Sequence, residues 1–256
     1  MAQQEDNIIT EEKIENPDEQ KGAILDKRVF PTALTSEEIR IYWSDKLKEQ
    51  SLFSARTTSK AYLDRVKELL ADYQTQLGET QSGVPISQGL QRTRMLMLEK
   101  LDELGLVERD ANGNVVEGKM TNLGSAMRLN LIIKTNTELA HSMRMKMEAQ
   151  SPLEKILNPY FELVRNETRK KERNWRERWY ECASAVNWQG VVKGTSRMIA
   201  RTDSPIWSEL GHRYRDCLGT DMPPFCWGSG MGWETVSAKE IKNLGLEVGG
   251  EEGNGD

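Results

Sequence analysis

Apolar residues that recur at steps of three and four constrain the fold of this chain more than any other feature of its sequence. The spacing is clearest between Thr57 and about Leu77, where the apolar positions are Tyr62, Val66, Leu69, Leu70 and Tyr73. A period of about 3.6 residues places such side chains on one face of an α-helix. The sequence therefore predicts a helix here with one buried and one charged face.

Three further helices are predicted in the same half of the chain. The first begins at the hydroxyl cap Thr35-Ser36 and turns Ile39, Tyr42 and Trp43 inward. The second runs from about Ser87 to Leu104, with Leu90, Arg94, Met97, Leu98, Leu101 and Leu104 along one stripe, and ends at Gly105. The third runs from about Thr121 to Ala149, and its expected buried positions are Leu123, Met127, Ile132, Leu139, Met143 and Met147.

The pattern changes after about residue 150. The stretch from Tyr160 to Val164 is typical of a strand, and six of the seven tryptophans follow this point. A turn signal at Asp110–Asn114 also predicts a short hairpin in the first half. We therefore expect an α+β protein with a mainly helical region over 31–150 and a small α+β module over 151–246.

Both ends of the chain are acidic and carry no repeating apolar face. Residues 1–30 hold eight acids against four bases, and residues 247–256 are Gly-rich with four acids and no base. Such segments bury too little apolar surface to offset the entropy lost on ordering. We expect 1–30 and 247–256 to be disordered tails, with ordered structure beginning near Pro31.

Composition restricts the class of protein. The longest apolar runs span only a few residues, against the roughly 20 that a membrane helix needs, so no membrane span is predicted. The N-terminus lacks the basic start and apolar stretch of a secretory signal. Without such a signal, the cysteines Cys182, Cys217 and Cys226 are expected to be reduced thiols.

Candidates for catalysis or metal binding are few. The chain has two histidines, His141 and His212. His212 together with Cys217 and Cys226 matches no zinc-ligand spacing and lacks a fourth ligand, so no metal or cofactor is predicted. A cysteine nucleophile paired with His212 has no recognisable motif around it. These residues therefore predict no catalytic site, and an enzyme is unsupported but not excluded.

The strongest charge feature runs from Arg165 to Arg178, where seven bases face three acids. One interpretation is a surface that binds nucleic acid or an acidic partner through phosphate or carboxylate contacts. The other is an amphipathic segment whose Trp175 and Trp179 pack inward while its charges are solvated. The candidate binding residues are Arg165, Arg169, Lys170, Lys171, Arg173, Arg176 and Arg178.

Four groups of residues occur in an order that resembles the Mu F-like family of phage head-morphogenesis or minor capsid proteins. The first is Lys134-Thr135-Asn136-Thr137 with Ala140, and the second is Pro159–Arg165. The third is Met198–Arg201 with Asp203–Trp207. The fourth is Pro223-Pro224-Phe225 with Ser229-Gly230-Met231 and Val236-Ser237. The resemblance covers about residues 120–245, and Leu34–Leu104 is similar to the helical region that precedes the module in this family.

The resemblance implies a non-enzymatic protein of the phage head, located near the portal after a period in the host cytoplasm. Its implied partners are portal, scaffold or major capsid proteins, and packaged DNA, and its implied role is head assembly, DNA packaging or DNA delivery. The sequence departs from the commoner family ending, in which the Pro-Pro stretch leads to an Asn and two closely spaced cysteines. Here only Cys226 follows the prolines, so no role of such a pair is transferred.

Two alternatives stay open. One is a nucleic-acid-processing enzyme, such as a nuclease, that uses His212 or His141 with nearby acids. The other is a free DNA-binding protein, whose affinity for DNA would fall steeply as the salt concentration rises.

Overall fold

A computed structural model describes residues 24–78, 86–168, 172–188 and 196–245 of the 256-residue chain. Residues 1–23 of the predicted tail over 1–30, and all of the predicted tail over 247–256, lie outside these ranges. Within them the protein is α+β, as predicted from the sequence. None of the helices in the described ranges combines the length and the hydropathy of a membrane span.

The first half is built mainly from helices, which we number in chain order. They are α1 (Ser36–Tyr42), α2 (Asp45–Gln50), α3 (Lys60–Gly78), α4 (Ile86–Glu103) and α5 (Ala126–Glu148). Thr35 caps α1 by accepting a hydrogen bond from the Glu38 amide, while the Glu38 carboxylate accepts one from the Thr35 amide. All five apolar positions predicted for the helix between Thr57 and about Leu77 are buried in α3. Gly105 ends α4 with a φ of +65°, which confirms its predicted capping role.

Ordered structure begins earlier than expected. Residues 28–29 form β1 (Arg28–Val29), which pairs in parallel with β2 (Ser51–Leu52). Ile24 is fully buried, and it belongs to a helical core that also contains Tyr62, Leu70, Leu101 and Ile133. The expectation of disorder up to residue 30 was therefore wrong for residues 24–30, because one isoleucine without any surrounding pattern packs under α3.

The second half contains a three-stranded antiparallel sheet with the order β4-β3-β5. Its strands are β3 (Tyr160–Arg165), β4 (Ile199–Arg201) and β5 (Met231–Val236). The helices of this half are α6 (Pro152–Leu157), α7 (Trp175–Ala185), α8 (Ile206–His212) and α9 (Ala238–Asn243). The predicted strand at Tyr160 is thus the central strand of the sheet.

Alternating residues of β3 serve the two faces of the sheet. Phe161 and Leu163 face an aromatic core between the sheet, α7 and α8, whereas Tyr160 packs with Val236 and Ile241 on the other face. Trp207 lies at the centre of the aromatic core. Its ring centroid is 5.3 Å from that of Trp233, 5.5 Å from that of Trp179 and 6.2 Å from that of Phe225. The six tryptophans after residue 150 therefore indicated the part of the chain that forms the second core.

Gly211 allows α8 to lie close to the backbone of Thr220, in the loop that follows the helix. A Cβ on Gly211 would lie 1.6 Å from the carbonyl oxygen of Thr220, so no larger residue fits there. The Gly219 amide donates to the Gly211 carbonyl oxygen at 3.0 Å across this contact. The next turn contains a cis Pro223–Pro224 bond and Phe225 with a φ of +56°.

Several side chains predicted to be buried are exposed. Tyr42 is 72% exposed and Met147 is 61% exposed, and Met127 and Leu104 also face solvent. Trp43, Ser125 and Ala149 are buried within two residues of Tyr42, Met127 and Met147, so these three side chains point to solvent from segments that themselves pack on a core. The long helix also begins at Ala126 and not at Thr121, because Ser125 caps it. The predicted hairpin near Asp110 is confirmed as a single antiparallel bridge between Arg109 and Val115.

Two buried tryptophans allow a matched test of the aromatic core. The Trp207 indole donates to the Arg201 carbonyl oxygen at 2.7 Å, whereas the Trp179 indole N–H has no partner among the described residues. Replacing either ring by Phe removes a similar volume, but only W207F also loses a hydrogen bond. We expect W207F to lower the free energy of unfolding by about 1 kcal/mol more than W179F. Urea unfolding followed by circular dichroism measures this difference, and equal losses would contradict the assignment.

Candidate functional site

Two arginines of the basic segment, Arg173 and Arg178, contact the carboxylate of Asp216. Helix α7 begins at Trp175 and buries Trp175 and Trp179, which turns Arg178 towards the loop that follows α8. Arg173 Nε donates to Asp216 Oδ2 at 2.6 Å, and Arg178 Nη2 lies 3.1 Å from Asp216 Oδ1. Partial burial acts to raise the pKa of Asp216, but the hydrogen bonds from the two arginines hold it below its usual value.

Aromatic rings and sulfur atoms complete the surroundings of Arg178. Its guanidinium carbon lies 4.1 Å from the centroid of the Tyr214 ring and 5.6 Å from that of Trp175. Its Nη1 is 3.3 Å from Cys226 Sγ. Partial burial and the hydrogen bond to Glu181 raise the pKa of Tyr214. Arg178 therefore contacts aromatic rings and sulfur as well as Asp216, and its side chain is only 19% exposed.

The other predicted binding residues are not brought into this group. Arg165 Nη1 lies 3.5 Å from Glu172 Oε1, and Arg176 is exposed next to Tyr180. Arg169, Lys170 and Lys171 lie outside the described residues. Four of the candidate binding residues are arginines that the structure describes. Of these four, only Arg176 contacts no carboxylate within the described ranges. The inward packing of Trp175 and Trp179 thus matches the second interpretation of this segment, in which the tryptophans are structural.

The expectation of reduced thiols was wrong for two of the three cysteines. Cys217 and Cys226 form a disulfide bond, with sulfur atoms 2.04 Å apart. They are nine positions apart in the sequence, and the turn through Pro223–Pro224 brings them together, which the spacing did not reveal. Cys182 is free, and burial raises the pKa of its thiol to about 11. None of the three cysteines therefore presents a reactive thiolate at neutral pH.

A metal site with His212 does not form among the described residues. The donor atoms of Asp216, Cys217 and Cys226 lie within 4.8 Å of one another, but both sulfurs belong to the disulfide. His212 Nε2 instead lies 3.0 Å from Asp45 Oδ1, and its Nδ1 lies 2.8 Å from the Ser208 carbonyl oxygen. The histidine therefore connects α8 to α2.

The same contacts bear on catalysis by a serine. Ser208 Oγ is 3.4 Å from His212 Nδ1, and Asp45 is on the other side of the ring, so three residue types of a hydrolytic triad are near one another. Both ring nitrogens, however, have a closer contact with an oxygen that only accepts hydrogen bonds. The Ser208 hydroxyl is thus farther from Nδ1 than the Ser208 carbonyl oxygen is, at 3.4 Å against 2.8 Å. His141, on α5, is partly buried and far along the chain from this group.

Further ion pairs connect the two halves of the chain. Lys146 Nζ on α5 lies 2.9 Å from Glu49 Oε1 and 2.9 Å from Asp221 Oδ1. Lys48 Nζ donates to the Gly219 carbonyl oxygen at 2.6 Å and is nearly fully buried. Such contacts between residues distant in sequence have no local signal, so the sequence did not indicate them.

Comparisons with known proteins give no match: no family model, no curated protein and no solved structure resembles the chain closely enough to count as one.

Asp216 gives a pH-dependent prediction. Because its pKa is lowered in the folded protein, its contribution to stability is present above the unfolded-state pKa of about 3.9 and is lost as the pH falls through the folded-state value. We expect D216N to lower the free energy of unfolding at pH 7 by roughly 1 kcal/mol, since solvent screens the pair. The difference from the unsubstituted protein should disappear in acid.

The matched control is E37Q, which removes the exposed pair between Glu37 and Arg215. This pair is open to solvent, so the control should unfold like the unsubstituted protein at every pH. Urea unfolding between pH 2.5 and pH 7 measures both variants. A D216N effect that stays constant down to the lowest pH would contradict the assignment.

Proposed function

We propose that this chain is a non-enzymatic phage head protein of the Mu F-like type. Under this proposal it resides near the portal vertex of the virion and acts in head assembly, DNA packaging or DNA delivery. One observation carries the proposal: residues from the separate groups behind the resemblance meet in the aromatic core. Phe161, Trp207 and Phe225 come from three of these groups, and the centroid of the Trp207 ring is 6.3 Å from Phe161 and 6.2 Å from Phe225.

The remaining group supports the same unit from outside the core. Lys134 Nζ on α5 lies 2.8 Å from Glu167 Oε2, just after β3. The side chains of Asn136 and Thr137 donate to the carbonyl oxygens of Ile132 and Ile133 at 2.8 Å. Lys134 therefore connects α5 to the residues that follow β3, whereas Asn136 and Thr137 bond within α5. Residues that pack and pair in this way belong to the framework of a fold. Proteins that share this framework would show such residues as short motifs in a fixed order.

A structural role also fits the contacts of the reactive groups. Arg173 and Arg178 are engaged by Asp216, and the ring nitrogens of His212 are engaged by Asp45 and Ser208. The alternative of a nuclease predicts cleavage of DNA or RNA by the purified chain with Mg²⁺, Mn²⁺ or Zn²⁺. Our proposal predicts no cleavage above that of a mock preparation, and cleavage lost in H212A or H141A would refute it.

Helix α6 offers an apolar surface for a protein neighbour in the head. Leu153, Ile156 and Leu157 lie at i, i+3 and i+4, so they share one face, and they are 63%, 71% and 49% exposed. Clustered exposed apolar side chains are typical of protein interfaces. Within the proposal, this face contacts one of the proposed protein partners: the portal, scaffold or major capsid protein.

The assembly prediction concerns this face. In cells that express the portal, scaffold and coat proteins of the phage, we expect the chain to be incorporated into heads. The double variant L153K/I156K should lower the incorporated amount at least tenfold, because lysines in an apolar interface are costly to desolvate. Quantitative mass spectrometry of purified heads measures the amount. The control M95K changes another exposed apolar residue, on α4, and should be incorporated normally.

Packaged DNA is the second proposed partner, through the basic segment. Because Arg173 and Arg178 are engaged by Asp216, the test variant is K170E/K171E/R176E, and the control K60E/R65E/K67E reverses three charges on α3. Fluorescence anisotropy with a DNA duplex should show weaker binding for the first variant only, with a dependence on salt. Unchanged DNA binding would remove DNA from the proposal. Tight binding to DNA without incorporation into heads would instead favour a free DNA-binding protein.

A further inference from the structure

A cavity of about 360 Å³ lies between α5, the loop after β2 and the loop after α8. One wall is a single face of α5, formed by Arg128, Leu131, Ile132, Thr135 and Leu139. The facing residues are mostly apolar and include Ile39, Phe53, Ala55, Leu218 and Trp227. Its volume lies within the range of about 300–1,000 Å³ found for small-molecule sites, which are also mainly apolar with a few polar groups.

Within the part of the chain that the structure describes, Arg128 is the charged group of this cavity that lacks a counter-ion. It is only 7% exposed, and its guanidinium donates to the Met120 carbonyl oxygen at 2.6 Å, to Ser54 Oγ at 2.9 Å and to the Ala55 carbonyl oxygen. All of these acceptors are neutral. Among the described residues, no acceptor engages Nε. A buried charge without an opposite charge is costly, and most buried arginines are paired with a carboxylate.

The surroundings of Arg128 are also positive. Lys48 lines the same cavity, and no aspartate or glutamate lines it among the residues that the structure describes. Burial is the main cause that lowers the pKa of Arg128; Tyr62 acts to raise it, and the charge of the nearby Arg56 adds a smaller lowering effect. Lys48 has Asp45 at 3.5 Å, whereas Arg128 has no such neighbour. The cavity thus combines apolar walls with an unbalanced positive charge.

We propose that this cavity binds one amphipathic organic monoanion, such as a medium-chain carboxylate. Its acid group binds the Arg128 guanidinium, and its apolar chain lies along Leu131, Ile132 and Leu139. A carboxylate supplies the missing counter-charge and can accept the free Nε–H. An apolar chain removes the walls from water, which a small inorganic anion cannot do. This inference is independent of the proposed role in the phage head.

The test compares three ligands that share a ten-carbon chain. Isothermal titration calorimetry of the full-length protein is carried out with decanoate and decyltrimethylammonium below their micelle concentrations, and with decanol below its solubility limit. We expect one decanoate per chain, bound at least tenfold more tightly than decanol, and no binding of the cation. Equal affinities for decanoate and decanol, or no binding of decanoate, would overturn the proposal.

Two variants locate the site. T135L fills the cavity from the α5 wall, so it should abolish decanoate binding and the rise in melting temperature that the ligand causes. The control T137L makes the same change two residues further along the same helix, at a position that does not line the cavity. It should bind decanoate as the unsubstituted protein does. Unchanged binding by a folded T135L variant would show that the ligand binds elsewhere and would refute the assignment.

Arg128 itself is tested with R128M, which keeps the length of the apolar stem. We expect at least a tenfold loss of affinity for decanoate and unchanged affinity for decanol. Circular dichroism checks the fold, because R128M also loses the hydrogen bonds to Ser54 and Met120. If R128M unfolds, the ligand series and T135L decide the question. A folded R128M that binds decanoate with full affinity would overturn the role of Arg128.

Discussion

The burial of one helix in two hydrophobic cores is the constraint on which the rest of this structure depends. Helix α5 contributes Leu129 and Ile133 to the helical core, and Leu139 to the aromatic core two turns further along. A helix of 23 residues is about 34 Å long and does not bend easily, so the two cores form in a fixed relative position. The ion pairs of Lys146 with Glu49 and Asp221 lie near its C-terminal end and reinforce this arrangement. The cavity with Arg128 lies along the same helix.

Much of the fold could be predicted because it follows from local patterns. The period of three and four located α3, the alternation located β3, and the tryptophans located the second core. The parallel pair of β1 and β2 could not be found, because two residues are too few to show a period. Met127 and Met147 lie on the predicted stripe of α5 but on its solvent-exposed side, so periodicity alone predicted burial that does not occur.

Less of the candidate site could be predicted, because charge counts do not reveal pairing. Seven bases against three acids suggested a free cationic surface, yet the partner of Arg173 and Arg178 is Asp216, about 40 positions later. The disulfide between Cys217 and Cys226 depends in the same way on a turn whose conformation the spacing does not encode. Arg128 gave no signal at all, since an arginine on an amphipathic helix usually faces water. These features arise from tertiary contacts and bear directly on which surfaces remain available to partners.

Native-state hydrogen exchange of the α5 amides tests the central claim most directly. If α5 joins both cores into one unit, the amides around Leu129–Ile133 and those around Leu139–Met143 exchange through the same opening. Both then give the free energy of global unfolding. Two halves of α5 that exchange with clearly different free energies, one following α3 and the other following β3, would contradict the account.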